Sequence, residues 1–172
     1  VAGEAAVAPA APALHEGRAN EAGTEGMSPN AMARYSCGHG DVDAGLEKAD
    51  TVLRRTYRTE ATHQGYIEPH ACLAQMGPDG QADLWCCTQG QYMVRDTCAA
   101  ILGLKQGQLR VTASEIGGGF GGKTTVFLEP VALALARKAG RPVKMVMSRQ
   151  EVLRATGPTA SSSIDVAIGM NK

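Results

Sequence analysis

The sequence predicts an α+β fold with a mixed sheet, and three observations carry that reading. ACLAQM, GPDG and ADLWCCT, over residues 71–88, form a β-hairpin pattern that interrupts any regular strand–helix–strand rhythm. Apolar residues recur at helical spacing in 91–103 and 126–140, with a strand pattern between them. Segments 51–60 and 163–169 alternate as further strands.

Residues 1–35 are rich in Ala, Gly and Pro and nearly free of large apolar side chains, so they lack the surface to build a core. They read as part of an extended arm or interdomain connector over residues 1–40, or as a disordered tail. Order is expected from Asp41, which caps a short helix in DVDAGLEKAD with Val42, Leu46 and Ala49 along one side. TVLRRTYRTE follows as a strand, and the Pro-Asp-Gly turn then joins the two hairpin strands.

QYMVRDTCAAILG places Val94, Cys98, Ile101 and Leu102 on one face of a helix closed by Gly103. LRVTAS alternates Leu109, Val111 and Ala113 as a strand that runs into a glycine-rich segment. VFLEPVALALARKAG is the second long helix, with Pro130 in its first turn or at a kink. VKMVMS is a strand, SRQE at 148–151 is a capping box that opens a short helix, and SIDVAIG closes the series with Ile164, Val166 and Ile168 on one side.

Seventeen basic and seventeen acidic side chains cancel, which argues against a nucleic-acid-binding protein, because that affinity comes mainly from excess cations. No apolar run nears the roughly 18 residues that span a bilayer. The five cysteines show no C-x-x-C spacing and read as unbridged, mostly buried thiols in a reducing compartment, the cytoplasm. His15, His39, His63 and His70 show no metal-ligand spacing. The start at Val1 and the end at Lys172 suggest a piece of a longer polypeptide.

Residues 117–124 read GGGFGGKT. Gly117, Gly122, Lys123 and Thr124 satisfy the phosphate-loop pattern, with Lys123 and Thr124 then serving phosphate and magnesium of ATP or GTP. Three features oppose that reading. The candidate metal-holding strand VKMVMS ends in Ser148 rather than an acid, several elements precede the loop, and five glycines around Phe120 give more freedom than cradling phosphate needs. A purely structural turn, allowing close packing, is the third option.

CTQGQYMVR, LRVTASEIGGGFGGKT, a long apolar helix and GRPVKMVMSRQE, taken together, resemble the molybdopterin-binding region of the xanthine dehydrogenase and aldehyde oxidase family, which includes large subunits of carbon monoxide dehydrogenase. HQGYIEPHACLAQ and GDVDAGLEKADTVLRRTYRTE resemble segments upstream of it, so the likeness covers nearly the whole chain in the family's order. It implies that 41–172 is the N-terminal portion of a molybdopterin-binding domain. It also implies that Gln89 approaches an oxygen ligand of the molybdenum, with Phe120 also near the metal, while Gly118, Gly119, Phe120 and Gly121 wrap the cofactor with backbone amides.

Such a run of N–H groups, placed beside a helix N-terminus, suits an anionic pterin phosphate and metal oxygens, and a neutral amide can donate there without adding charge. The cofactor implied is molybdopterin, as such or in its cytosine dinucleotide form. The implied partners are the rest of the large subunit and [2Fe–2S] and FAD modules on other subunits or domains. Family members hydroxylate a small-molecule carbon with oxygen from water. Their catalytic glutamate, near the far end of the polypeptide, has no counterpart here, and Glu115 and Glu129 read as surface or helix-start carboxylates. Purine-oxidising members carry glutamate where this chain has Thr124, which points to an aldehyde, an aromatic or a CoA thioester instead.

Overall fold

The computed structural model describes Ala31 and residues 34–172, so most of the arm expected over residues 1–40 lies outside the described residues. In chain order the elements are α1 (Val42–Glu47), β1 (Thr51–Thr59), β2 (Ala71–Met76), β3 (Ala82–Cys86), α2 (Gln91–Leu102), β4 (Leu109–Ala113), α3 (Glu129–Ala139), β5 (Val143–Val146), α4 (Arg149–Ala155) and β6 (Ser162–Met170). The chain divides into two compact units, one built from residues up to Glu60 with Ser161–Lys172, the other from Ala61–Ala160.

In the first unit, Asp41 caps α1 as its sequence predicts, its side chain accepting from the Ala44 N–H at 3.0 Å. β1 and β6 form an antiparallel ribbon in which Leu53 faces Ile168 and Tyr57 faces Ile164. Directly opposed residues share a face, so these four gather on one side, and all four are exposed. The other side receives α1 and the residues just after it: a Cβ added at Gly169 would stand 3.3 Å from Leu46 Cδ2 and 2.9 Å from the Ala49 Cβ.

The second unit holds a four-stranded sheet in the order β4-β3-β2-β5. β2 pairs antiparallel with both β3 and β5, whereas β3 and β4 run parallel. The GPDG turn closes the hairpin as expected, Gly77 donating to the Gln81 carbonyl at 2.8 Å. A parallel pair needs a crossover connection, and α2 provides it. Cys72 and Ala74 of β2 share a face with Ala82, Leu84 and Cys86 of β3, and this face packs on Val94 and Cys98 of α2 and Ala132, Leu133 and Ala136 of α3. The sheet contributes mainly small alanine and cysteine side chains.

Two expectations shift. Ile101, placed by periodicity on the apolar face of α2, is 58% exposed, and the buried face is Val94, Cys98 and Ala99. The helix expected from residue 126 begins at Glu129, whose carboxylate accepts from the Phe127 N–H at 2.7 Å and so ends the loop in place of a helical turn. Pro130 lies in its first turn. SRQE does form its capping box on Ser148. Four of the five free cysteines, all but Cys37, are buried. None of the described helices is long and apolar enough to cross a membrane.

Leu133 is fully buried between α3 and the sheet, so Leu133→Ala should lower the unfolding free energy by about 2–5 kcal/mol, read as an earlier urea midpoint.

Candidate functional site

Parallel pairing brings the C-terminal ends of β3 and β4 side by side, with Ser114 N–H donating to the Cys86 carbonyl at 3.0 Å. From β3 the chain passes through Thr88 and Gln89 into α2. From β4 it enters the glycine-rich loop. The two segments are then bonded together: the Gln89 N–H and the Thr88 hydroxyl both donate to the Lys123 carbonyl, at 2.9 and 3.0 Å.

Gln89 is exposed, yet its side-chain Oε1 is fixed, accepting from the N–H of Gly121 at 3.0 Å and of Lys123 at 3.3 Å. With its oxygen turned toward the loop, the carboxamide keeps both Nε2–H groups as donors with no partner among the described residues. Gly119 lies so close that a Cβ there would stand 2.4 Å from Gln89 Oε1. Only glycine permits that approach.

Gly118 and Gly121 take φ values of +94° and +83°, and between them Phe120 takes +49°. A bulky side chain in left-handed backbone is uncommon and costs on the order of 1 kcal/mol or more, and such outliers gather at functional sites. Phe120 is also 74% exposed. The loop makes an internal bond from Gly122 N–H to the Gly119 carbonyl at 2.7 Å. Among the described residues, the N–H groups of Gly118, Gly119 and Phe120 donate to nothing. Successive unpaired amides in a turn present an anion-binding concavity. The helix that follows the loop starts only at Glu129, so the helix N-terminus next to it is that of α2, which opens at Gln91 just after Gln89.

The phosphate-loop reading requires Lys123 to reach out, and it does not. Its side chain is 0% exposed and ion-paired with Glu68 Oε2 at 2.7 Å, with the ammonium 4.9 Å from the Tyr66 ring centroid. The Thr124 hydroxyl donates back to the Gly121 carbonyl at 3.0 Å. Neither group is disposed for a nucleotide or its magnesium.

Beneath the loop lies a polar network that residue spacing did not single out. Gly65 N–H donates to His63 Nδ1 at 3.0 Å, so the ring proton of His63 is on Nε2, 3.1 Å from the Thr156 hydroxyl. Thr156 spends its own proton on the Val152 carbonyl at 2.7 Å. Tyr66 must therefore donate to Thr156 (2.9 Å) and accept from His70 Nε2–H (2.8 Å). Every proton in the chain has one direction. Burial and the Lys123 charge push His70 from its ordinary value down to about 4, leaving it neutral.

The residues marked in sequence as cofactor-contacting, Gln89 and Gly118 to Gly121, thus come together at one end of the sheet. Tyr66, Glu68, His70 and Lys123 join them. Tyr66, Glu68 and His70 lie in the stretch HQGYIEPHACLAQ, which the sequence marks as a likeness and not by role, and Lys123 enters there only through the phosphate-loop pattern. Glu129, expected at a helix start or the surface, begins α3 but is buried.

The Molybdopterin cofactor-binding domain family matches residues 24–172. The molybdenum-binding subunit of a xanthine dehydrogenase from Escherichia coli is 30% identical over 170 residues, which cover 98% of this chain and 21% of that protein. The structure of a Cu,Mo-CO dehydrogenase in its carbon monoxide reduced state superposes with a TM-score of 0.77 at 28% identity, over 95% of this chain and 21% of that one. The aldehyde oxidoreductase of Desulfovibrio gigas gives a TM-score of 0.67 at 25% identity, over 77% of this chain and 15% of that one. The chain therefore spans about a fifth or less of these relatives' length.

The depressed His70 value has a definite sign. A histidine held neutral in the fold binds fewer protons than in the unfolded chain, so its contribution is complete above pH 6.5 and is lost as pH falls toward about 4. Melting temperature should fall across that window, by the equivalent of up to about 3 kcal/mol. In His70→Asn the slope should flatten, with a lower plateau at neutral pH.

Proposed function

We propose, since the chain belongs to the Molybdopterin cofactor-binding domain family, that the loop of residues 118–121 and Gln89 form part of a molybdopterin cradle within a larger molybdenum hydroxylase. The observation that carries this reading is the fixed orientation of Gln89, whose oxygen is bound to the Gly121 and Lys123 amides while its NH2 group stays free. Together with the unpaired N–H groups of Gly118, Gly119 and Phe120, it makes an uncharged surface with several free donors. That donor set fits a group bearing a phosphate and anionic metal oxygens. The bound centre would supply two-electron oxidation of a substrate carbon.

This chain's own residues have narrower tasks. Gln89, held by the Gly121 and Lys123 amides, would offer its NH2 donors to the metal centre from a position that the loop has already fixed, so binding would need no reorganisation. Gly118, Gly119 and Phe120 would hold the cofactor through the main chain, and the exposed Phe120 ring would serve as an apolar neighbour for metal and substrate. The whole protein is an oxidoreductase that adds water-derived oxygen to an aldehyde, an aromatic heterocycle or a related substrate, passing electrons to iron–sulfur and flavin modules. The isolated chain is inactive, since it holds only part of the cradle.

Thr124 supports a non-purine substrate. Its hydroxyl is turned back onto the Gly121 carbonyl, and position 124 itself offers no carboxylate to grip a purine N–H. The name of the Escherichia coli relative points the other way, which makes substrate profiling of the full-length protein informative.

Two substitutions in the full-length protein test the cradle. Gln89→Glu keeps an oxygen for the Gly121 and Lys123 amides but removes the donors, so turnover should fall about 10²-fold with little change in melting temperature. Gly119→Ala drives Gln89 off its anchor and should lower bound molybdenum and pterin per polypeptide. Full turnover in the first and full cofactor content in the second would remove both residues from the site. Magnesium–ATP should leave the melting temperature unchanged, and a rise of several degrees would revive the nucleotide reading.

A further inference from the structure

The glycine loop begins and ends on the same ion pair. At its start, Gly117 N–H donates to Glu68 Oε2 at 2.8 Å, and Glu68 N–H donates to the Gly117 carbonyl at 3.2 Å. Gly117 fits there because it lacks a side chain, since a Cβ would stand 2.7 Å from the Glu68 Cβ. At its end, Lys123 Nζ donates to the same Glu68 Oε2 at 2.7 Å. One carboxylate oxygen, far away in sequence, thus joins the two ends of the loop, with the ammonium wholly buried.

The main chain of Lys123 is also the partner of Gln89, through its N–H to Oε1 at 3.3 Å and its carbonyl from the Gln89 N–H at 2.9 Å. Glu68 is itself steadied from α4, where the Arg149 guanidinium donates to the carbonyl of the preceding Ile67. Lys123 is consequently the point at which the ion pair, the loop and Gln89 meet.

We infer that Glu68 and Lys123 are positioning residues for the cradle: their ion pair clamps both ends of the loop and thereby sets the direction in which Gln89 and the free loop amides face the cofactor. This inference rests on the cradle reading above. An ammonium in this place acts as a tie and not as a cofactor ligand. Burial raises the Glu68 carboxyl, but bonds from Lys123 and Gly117 outweigh it and hold the group below the ordinary carboxylate range, so the clamp is charged at neutral pH.

The test uses the full-length protein from a host that makes the pterin, as Lys123→Met, Glu68→Gln/Lys123→Met and, for the cradle itself, Gly119→Ala. Molybdenum and pterin per polypeptide, melting temperature and the g-values of the reduced centre's EPR signal are measured together. Lys123→Met strands a carboxylate and lowers the melting temperature. The double variant carries no unpaired charge and should regain most of that stability, yet it should still hold at least about tenfold less pterin, with shifted g-values in what remains. A double variant that regains stability, cofactor content and the parental g-values together would reduce the pair to a fold-stabilising contact and overturn the inference. If the double variant also fails to fold, the pair serves the fold first, and the inference is likewise lost. Full cofactor in Gly119→Ala would sink the cradle reading. Loss there, beside full cofactor in the double variant, would sink the clamp alone.

Discussion

Two main-chain amides, those of Gly121 and Lys123, converge on a single side-chain oxygen of Gln89, and the site is arranged around that convergence. Without it, a loop with five glycines would sample many conformations, since each glycine adds backbone freedom that must be lost on ordering. With it, the loop has one shape and the carboxamide one orientation. The donors that remain all belong to groups carrying no formal charge. A surface of this kind can meet an anionic centre without a competing cation that would trap the charge in one place.

The sheet makes the convergence possible. β3 and β4 run parallel and end together, so the short segment before α2 and the long loop after β4 leave from neighbouring positions. Ligands of α/β proteins favour the C-terminal ends of parallel strands for the same geometric reason. Here the principle operates on a single parallel pair inside an otherwise antiparallel sheet. The small alanine and cysteine side chains on the inner face let α2 and α3 pack close beneath that edge.

Local signals in the sequence transferred well and long-range ones poorly. The hairpin, the Asp41 cap, the Ser148 capping box and the α2 segment each depend on residues within a few positions of one another, where turn chemistry and periodicity are informative. The apolar pattern of Val126, Phe127 and Leu128 predicts an earlier start for α3 than the fold has, because the Glu129 carboxylate holds the Phe127 amide in the loop. The sequence disfavours a phosphate role for Lys123 without offering another, because its partner Glu68 lies far away in sequence and a buried ion pair of that separation leaves no local trace. The glycine-rich loop is plain in the sequence, but a cofactor role for Gln89 and for Gly118, Gly119 and Gly121 is expected only through resemblance. Geometry then supplied the reason for those residue types, above all the close approach of Gly119 to Gln89. Pairing of β1 with β6, and the exposure of its apolar side, could not be read from alternation, which gives the face of a strand but not what covers it.

The thiols packed between sheet and helices carry a consequence of their own. Burial first, and then the buried Glu129 carboxylate, drive the sulfhydryls of Cys72 and Cys98 up to about 12 and raise that of Cys86 as well. Thiolate is the species that alkylating reagents and peroxides attack, and these three groups hold almost none of it at neutral pH. A domain that sits beside electron-transfer chemistry in its relatives thereby keeps three sulfur atoms in its interior chemically silent. They behave as compact hydrocarbon-like filling that resists oxidative ageing for as long as the fold stays closed.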